Sequence, residues 1–169
     1  KQYFTEEFGM KIYANPIQLT LYGKRIYLGH GDGLGPGDRG YKFIKLFLRS
    51  ALCQWAFARI HPNFGIGLAR FFSGKSREGS EHEHQFLGFE HEWLYQFAQT
   101  MQQKDQHDYY IFGHRHLPYA LPIEQGTYFN LGEWLHYQTF MKIDSEIPQY
   151  YTWDGHSAQT YDPPYGKGA

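Results

Sequence analysis

Residues 110–118 have the sequence YIFGHRHLP, in which an apolar run ends at a glycine followed by two histidines. Aromatic and β-branched residues favour strands, so Tyr109–Phe112 is predicted to be a strand that ends at Gly113. In extended chain, side chains two residues apart point the same way, and His114 and His116 are therefore expected to reach one small volume. Neutral imidazole is a common ligand of divalent transition metals. The stretch predicts a metal site at a strand end.

A second histidine stretch, residues 27–35 with the sequence YLGHGDGLG, has the same pattern earlier in the chain. Gln18–Tyr22 and Arg25–Leu28 are predicted to be two strands joined by a tight turn, and the second strand runs into His30. Glycines on both sides of His30 allow the backbone to turn sharply and to come close to a ligand. Because functional groups of layered α/β proteins cluster at strand ends, we expect His30 to lie near the first two histidines.

His82, His84 and His91 lack this glycine frame. The chain has 10 histidines, so an H-x-H pair also arises by chance, and surface histidines are the alternative interpretation. His82 and His84 lie among charged residues at the start of a predicted helix, and His91 lies between two glutamates. We expect these three histidines to face solvent.

The remaining pattern predicts helices between the two histidine stretches and strands after the second. Apolar residues at helical spacing predict helices over residues 41–60 and 83–104, a short helical segment over 64–72, and a polar loop at Gly74–Ser80. Further strands are predicted at Lys11–Ala14, Thr127–Leu131, Leu135–Lys142 and Tyr150–Trp153. This order of elements predicts an α/β fold.

The segment from residue 39 to residue 77 differs in charge from the rest of the chain. It contains no Asp or Glu and eight basic residues, namely Arg39, Lys42, Lys45, Arg49, Arg59, Arg70, Lys75 and Arg77. The whole chain has 16 basic and 17 acidic residues, so the remainder is acidic. A basic, apolar helical segment suggests an anionic membrane surface as a partner. The alternative is a helix that packs on its own core with solvated lysines.

The composition argues against a nucleic-acid partner and against a disulfide framework. A nucleic-acid partner does not fit, because the basic segment is heavily apolar and the rest of the chain is acidic. A disulfide framework is excluded by the single cysteine, Cys53, whose place in an apolar helical pattern predicts a structural role. One free thiol fits a reducing compartment, and no run of about 18 apolar residues is present to span a membrane.

The two histidine stretches resemble the last two metal-binding motifs of calcineurin-like metallophosphoesterases. Their spacing, together with the sequence FNLGEWLHY at residues 129–137, resembles the UDP-2,3-diacylglucosamine hydrolase branch of that family. The resemblance implies the C-terminal part of a calcineurin-like layered αββα sandwich over residues 1–161. It also implies a helical cap insertion at about 39–80, and residues 162–169 are expected to be a disordered tail.

The resemblance implies a site with two divalent metal ions, of the kind that binds Mn²⁺. His30 and His114 would bind one ion and His116 the other, with Asp32 orienting a ligand or its loop. Residues implied in substrate binding are Asp38, Tyr41, Lys75, Ser76 and Arg77.

The implied activity is metal-dependent hydrolysis of the pyrophosphate bond of UDP-2,3-diacylglucosamine. The products would be UMP and 2,3-diacylglucosamine 1-phosphate, a step of lipid A biosynthesis. The implied place is the cytoplasmic face of the inner membrane of a Gram-negative-type bacterium, where the protein would be peripheral. The alternatives are a related metallophosphoesterase with another phosphoester substrate and a non-catalytic fragment that binds a lipid surface.

The sequence departs from the family in lacking its earlier metal motifs, an Asp-x-His, a Gly-Asp-x-x-Asp/Asn and a Gly-Asn-His-Asp/Glu. Two divalent ions a few Å apart require a bridging carboxylate and more than three neutral ligands. We therefore expect the remaining ligands to lie on an N-terminal segment that this chain lacks.

Overall fold

The computed structural model describes residues 2–35, 46, 49–78, 85–145 and 147–163, and only the backbone at residues 2, 69 and 72–78. The helices of this part are α1 (Gln2–Phe8), α2 (Ala51–Phe57), α3 (Pro62–Glu78) and α4 (Trp93–Lys104). The strands are β1 (Ile17–Leu21), β2 (Lys24–Gly29), β3 (Tyr109–Phe112), β4 (Pro118–Ile123), β5 (Gly126–Leu131), β6 (Thr139–Lys142), β7 (Gln149–Trp153) and β8 (Ala158–Thr160). The predicted α/β class is confirmed.

The chain divides into two compact units. The first consists of Lys1–Asp32 and Ala98–Ala169, and the second of Gly33–Phe97. All the strands of the described residues belong to the first unit. The helical insertion predicted at about 39–80 falls within the second unit.

The first unit is built on a five-stranded sheet with the order β1-β2-β3-β5-β4. The three inner strands β2, β3 and β5 are parallel, and each edge strand is antiparallel to its neighbour. The predicted hairpin of β1 and β2 is confirmed, and its turn consists of Tyr22 and Gly23. Both residues have positive φ (51° and 75°), as expected for a two-residue turn that matches the twist of its strands.

A second sheet, with the order β6-β7-β8, packs on the first through one apolar layer. Buried residues of this layer are Ile26, Ile111 and Phe129 from the large sheet and Tyr150 from β7. The Tyr150 hydroxyl also donates to the backbone carbonyls of Tyr119 (2.9 Å) and Asn130 (2.8 Å), so it joins the two sheets. Its burial raises the pKa of this hydroxyl well above its ordinary value, which keeps it protonated as a donor.

Strand β4 is an element that the sequence pattern does not predict. It contains Pro118 and Pro122, and proline lacks the N–H that a central strand needs. The structure tolerates both prolines because β4 lies at the edge of the sheet and, among the described strands, pairs only with β5. Conversely, the strand predicted at Lys11–Ala14 is wrong, since these residues form no strand.

The helical predictions in the second unit require two corrections. Helix α3 continues to Glu78, so the loop predicted at Gly74–Ser80 is wrong for residues 74–78. An isolated glycine costs a helix only about 1 kcal/mol, and the residues after Gly74 are good helix formers or neutral. The helix predicted over 83–104 begins only at Trp93. Gly88 has a φ of 90° that a right-handed helix cannot contain, and residues 89–91 form a turn.

Helix α2 covers part of the helix predicted over 41–60 and has no buried residues. Residues 41–45 and 47–48 of that predicted helix lie outside the described residues. The same holds for residues 36–40, for His82 and His84, and for the tail from residue 164. His91 is exposed, as predicted. No described helix is both long and apolar enough to cross a membrane.

Candidate metal centre

The candidate site lies at the C-terminal ends of the three parallel strands. Gly29, the last residue of β2, pairs in register with Phe112, the last residue of β3, and Phe112 pairs with Asn130 of β5. Parallel strands present their C-terminal ends at one edge of a sheet, which is where ligands commonly bind in α/β folds. The residues that follow β2 and β3 therefore start side by side, although they are far apart in the sequence.

Two histidines face each other at this edge. The His30 and His114 ring centroids are 5.4 Å apart, with the ring planes at 77°. The Gly113 amide donates a hydrogen bond to the His30 carbonyl (3.0 Å), which joins the two loops. A Cβ on Gly113 would lie 3.4 Å from Nδ1 of His30, so a larger residue there would crowd the ring.

The backbone after β3 forms a turn, whereas the spacing argument for His114 and His116 assumed an extended chain. Both residues are in the left-handed region, with φ of 69° and 53°, which few residues other than glycine adopt. The assumption was wrong because the chain turns at Gly113 and re-enters the sheet as β4. His116 is exposed at this turn.

The described residues fit part of a divalent metal site. Two imidazoles that approach one another supply nitrogen ligands of the kind that transition metals prefer. Within the described ranges, however, no group of three or more His, Cys, Asp or Glu side chains could hold a metal ion. The structure thus brings His30 and His114 together, and no third ligand joins the pair from the part of the chain that the structure describes.

The other predicted site residues have different positions in the structure. Asp32 is half-buried in the turn after β2, close in sequence to His30. Asp38 and Tyr41 lie outside the described residues. Lys75, Ser76 and Arg77 belong to the last turns of α3 in the second unit, where only the backbone is described.

Two polar residues of the 129–137 stretch lie at the same edge of the sheet and were not predicted as site residues. Asn130 is fully buried at the end of β5, and its amide nitrogen donates to the Gly113 carbonyl (2.9 Å). Glu133 lies in the loop that follows β5. A polar residue inside an apolar strand, followed by glycine, was the signal in the sequence that could have indicated them.

Glu133 holds the loop after β5 in a tight turn. Its carboxylate accepts backbone hydrogen bonds from Leu135 (2.6 Å), His136 (2.7 Å) and Tyr137 (3.1 Å). Burial acts to raise the pKa of this carboxyl, but the three backbone donors outweigh it and the pKa is lowered from its ordinary value of 4.5. Hydrogen bonding to the charged form therefore stabilises the loop.

Replacing Glu133 with glutamine is expected to destabilise the protein by about 1–2 kcal/mol at neutral pH, because charge-assisted hydrogen bonds become neutral ones. The folded pKa is lowered, so the carboxylate stabilises the protein above pH 4.5 and loses this effect as the pH falls through the folded pKa. Urea unfolding at pH 7 and at pH 3 measures the difference. A penalty that is equally large at both pH values would contradict this interpretation.

No family model matches the chain. UDP-2,3-diacylglucosamine hydrolase of Porphyromonas gingivalis is 30% identical over 156 residues, which cover 84% of this chain and 60% of that protein. The enzymes of the same name from Aeromonas hydrophila and a Shewanella species are 29% and 22% identical, over 69% and 85% of this chain.

The chain spans about half to three fifths of the length of these relatives, 60%, 47% and 58% respectively. Among solved structures, a zinc complex of Vps29 from Entamoeba histolytica is similar with a TM-score of 0.40 and 12% identity. That similarity covers 89% of this chain and 62% of the Vps29 chain.

Proposed function

We propose that the chain supplies the C-terminal part of an enzyme with the activity of the UDP-2,3-diacylglucosamine hydrolases to which it is similar. The reaction is hydrolysis of the pyrophosphate bond of UDP-2,3-diacylglucosamine to UMP and 2,3-diacylglucosamine 1-phosphate. The observation that carries the proposal is the pair of facing imidazoles, His30 and His114, at the C-terminal edge of the parallel strands. The similarity to these relatives supports the choice of substrate.

The proposed cofactor is a pair of divalent metal ions, with Mn²⁺ as the native metal. Bound metal ions supply an activated water and neutralise the charge that develops on the phosphoryl oxygens. In this proposal His30 and His114 bind one ion and His116 binds the other, while Asp32 orients the loop that carries His30. Asp38, Tyr41, Lys75, Ser76 and Arg77 contact the substrate.

The remaining ligands of the proposed centre have to come from outside the residues described. Histidine ligands are neutral, and a pair of closely spaced divalent cations requires carboxylates to balance their charge. We assign these carboxylates to a segment of about the length by which the relatives exceed this chain. That segment would also supply the carboxylate that bridges the two ions.

The second unit is proposed to bind the anionic surface of the membrane that holds the lipid substrate. The described part of α2 and α3 exposes large apolar side chains, with exposed fractions of 72% for Leu52, 66% for Phe64 and 64% for Phe71. The guanidinium of Arg59 lies 3.7 Å above the ring of Trp55, which is itself exposed. Basic and aromatic groups side by side are typical of helices that lie in a lipid headgroup layer. The proposed location is the cytoplasmic face of a Gram-negative inner membrane.

This surface also favours the second candidate, a fragment that binds lipid without catalysis. The two candidates differ in whether the His30 and His114 pair becomes part of a complete metal centre. A related metallophosphoesterase with another phosphoester substrate is the third possibility, and it shares the metal centre of the first candidate.

Hydrolysis of UDP-2,3-diacylglucosamine by the full-length protein, measured as UMP release with and without Mn²⁺, tests the proposal. We expect Mn²⁺-dependent release of UMP and no release of phosphate from simple nucleotides. Hydrolysis of simple nucleotides alone would favour the related phosphoesterase. Sedimentation with vesicles that contain phosphatidylglycerol, without any hydrolysis, would favour the lipid-binding fragment and contradict the enzyme.

A further inference from the structure

The turn that carries His114 is fixed by hydrogen bonds to the backbone N–H and carbonyl of one residue, Gly113. Its N–H donates to the His30 carbonyl, and its carbonyl accepts from the Arg115 amide (2.8 Å). The same carbonyl accepts a second hydrogen bond, the third of this residue, from the side-chain amide of Asn130 (2.9 Å). The first bond joins the two histidine loops to each other, and the third joins them to β5.

This turn needs support because its backbone is strained. His114 and His116 both have positive φ, and a residue other than glycine in that region costs roughly 1–3 kcal/mol. Such conformations persist only where the surroundings hold them in place. The bond from Arg115 is local to the turn, whereas the bond from Asn130 comes from the rigid sheet. Asn130 is therefore the side chain that ties the Gly113 carbonyl to the sheet.

Asn130 is itself held from several directions. It is fully buried, it is in register with Phe112, and its backbone carbonyl accepts from Tyr150 (2.8 Å). Its side-chain oxygen accepts from the Gly132 amide (3.4 Å), and its side-chain nitrogen also lies 3.4 Å from the Tyr128 hydroxyl. A buried amide with a fixed backbone and partners on both side-chain atoms has one orientation.

Asparagine is the residue type that this position requires. The amide must present a donor to the Gly113 carbonyl and an acceptor to the Gly132 amide at the same time. Leucine has the same number of side-chain heavy atoms and the same branching but neither group. Serine is polar but too short to span the distance to the Gly113 carbonyl.

We propose that Asn130 is a positioning residue that sets the orientation of the His114 imidazole toward His30, and so sets the metal affinity of this pair. The inference rests on the proposed function only in that the two histidines bind a metal ion. The orientation of the two rings is a property of the chain itself. Groups that orient metal ligands commonly change metal affinity by about 10- to 100-fold when they are replaced.

The test compares Asn130→Leu and Asn130→Ser with a matched control, Tyr110→Phe, in the full chain. Tyr110 lies on β3 at the end away from the histidines, and its buried hydroxyl donates to Gln102 (2.6 Å) and to the Asp105 carbonyl (3.2 Å). The control thus also removes a buried hydrogen bond, but not at the turn. Two readouts are made, the nuclear Overhauser effect between the His30 and His114 rings without metal, and the affinity for Co²⁺ from its visible absorption.

We expect both Asn130 variants to lose the ring-to-ring signal and to bind Co²⁺ about 10- to 100-fold more weakly, while Tyr110→Phe retains both. If the Asn130 variants keep the ring-to-ring signal and the affinity of the unmodified chain, the positioning role is refuted. Where one variant does not fold, the other carries the comparison.

If the proposed function fails, the two readouts give a different combination of results. If the unmodified chain shows the ring-to-ring signal but binds no Co²⁺, the metal proposal is contradicted for this chain. The signal in the Asn130 variants then still decides the positioning role: its loss supports the role, and its retention overturns it.

Discussion

Replacing His114 with alanine is expected to reduce Mn²⁺-dependent hydrolysis of UDP-2,3-diacylglucosamine by about a thousand-fold. The His114 ring faces His30 at 5.4 Å, and the variant leaves one imidazole where the proposed centre has two. Stabilisation of phosphoryl charge by a bound metal is worth several kcal/mol, and each 1.36 kcal/mol corresponds to about a tenfold change in rate. Initial rates of UMP release at saturating substrate measure the loss.

The control for this prediction is His156→Ala. His156 is exposed in the turn between β7 and β8, where its backbone amide donates to Asp154 (2.8 Å), and its imidazole has no part in the proposed centre. We expect this variant to keep the activity of the unmodified protein. The double variant His30→Ala/His114→Ala should be little worse than either single variant, because residues that act as one unit are not additive. Hydrolysis that survives His114→Ala would remove this histidine from the metal centre.

Replacing Gly132 with alanine is expected to lower the free energy of unfolding by about 2–4 kcal/mol. Gly132 has a φ of 78°, which alanine rarely adopts. A Cβ there would lie 2.5 Å from Oγ1 of Thr139 and 3.0 Å from Pro118. Thr139 cannot move away easily, because its hydroxyl donates to the Leu131 carbonyl (2.8 Å). Urea unfolding followed by circular dichroism measures the change.

Gly155→Ala separates the two causes of this loss. Gly155 also has a positive φ, 96°, but a Cβ there would have no atom within 4 Å. The backbone strain alone is expected to cost about 1 kcal/mol. Equal losses in the two variants would mean that the contact with Thr139 and Pro118 contributes nothing to the effect.

The β-hairpin and the strands β3, β5 and β7 were predicted from the sequence because their apolar residues occur at the spacing of strands. The turn of the hairpin lies at Tyr22 and Gly23, one residue earlier than the predicted strands Gln18–Tyr22 and Arg25–Leu28 imply, and both of its residues have positive φ. Strand β4 could not be predicted, because Pro118 and Pro122 exclude a central strand and nothing local indicates that this strand is an edge.

The start of α4 shows a different limit of the sequence pattern. Apolar residues at helical spacing continue from residue 86 to residue 101, but the helix begins at Trp93. The amides of His91 and Glu92 instead donate to the Gly88 carbonyl, and the Glu92 carboxylate accepts from the Leu87 amide (3.2 Å). Spacing predicts which residues share a face, whereas the glycine conformation decides where the helix can begin.

The sequence by itself determined that glycine-flanked histidines follow two strands, and that a basic apolar segment separates them in an otherwise acidic chain. These properties depend on residue type and local order alone. Only the tertiary structure decided that His30 faces His114, because the parallel register of β2 and β3 is set by long-range pairing. It also decided that the backbone at His116 is left-handed and not extended, and that the Asn130 side chain donates to the Gly113 carbonyl. Such contacts depend on where distant strands end, and no local pattern encodes that position.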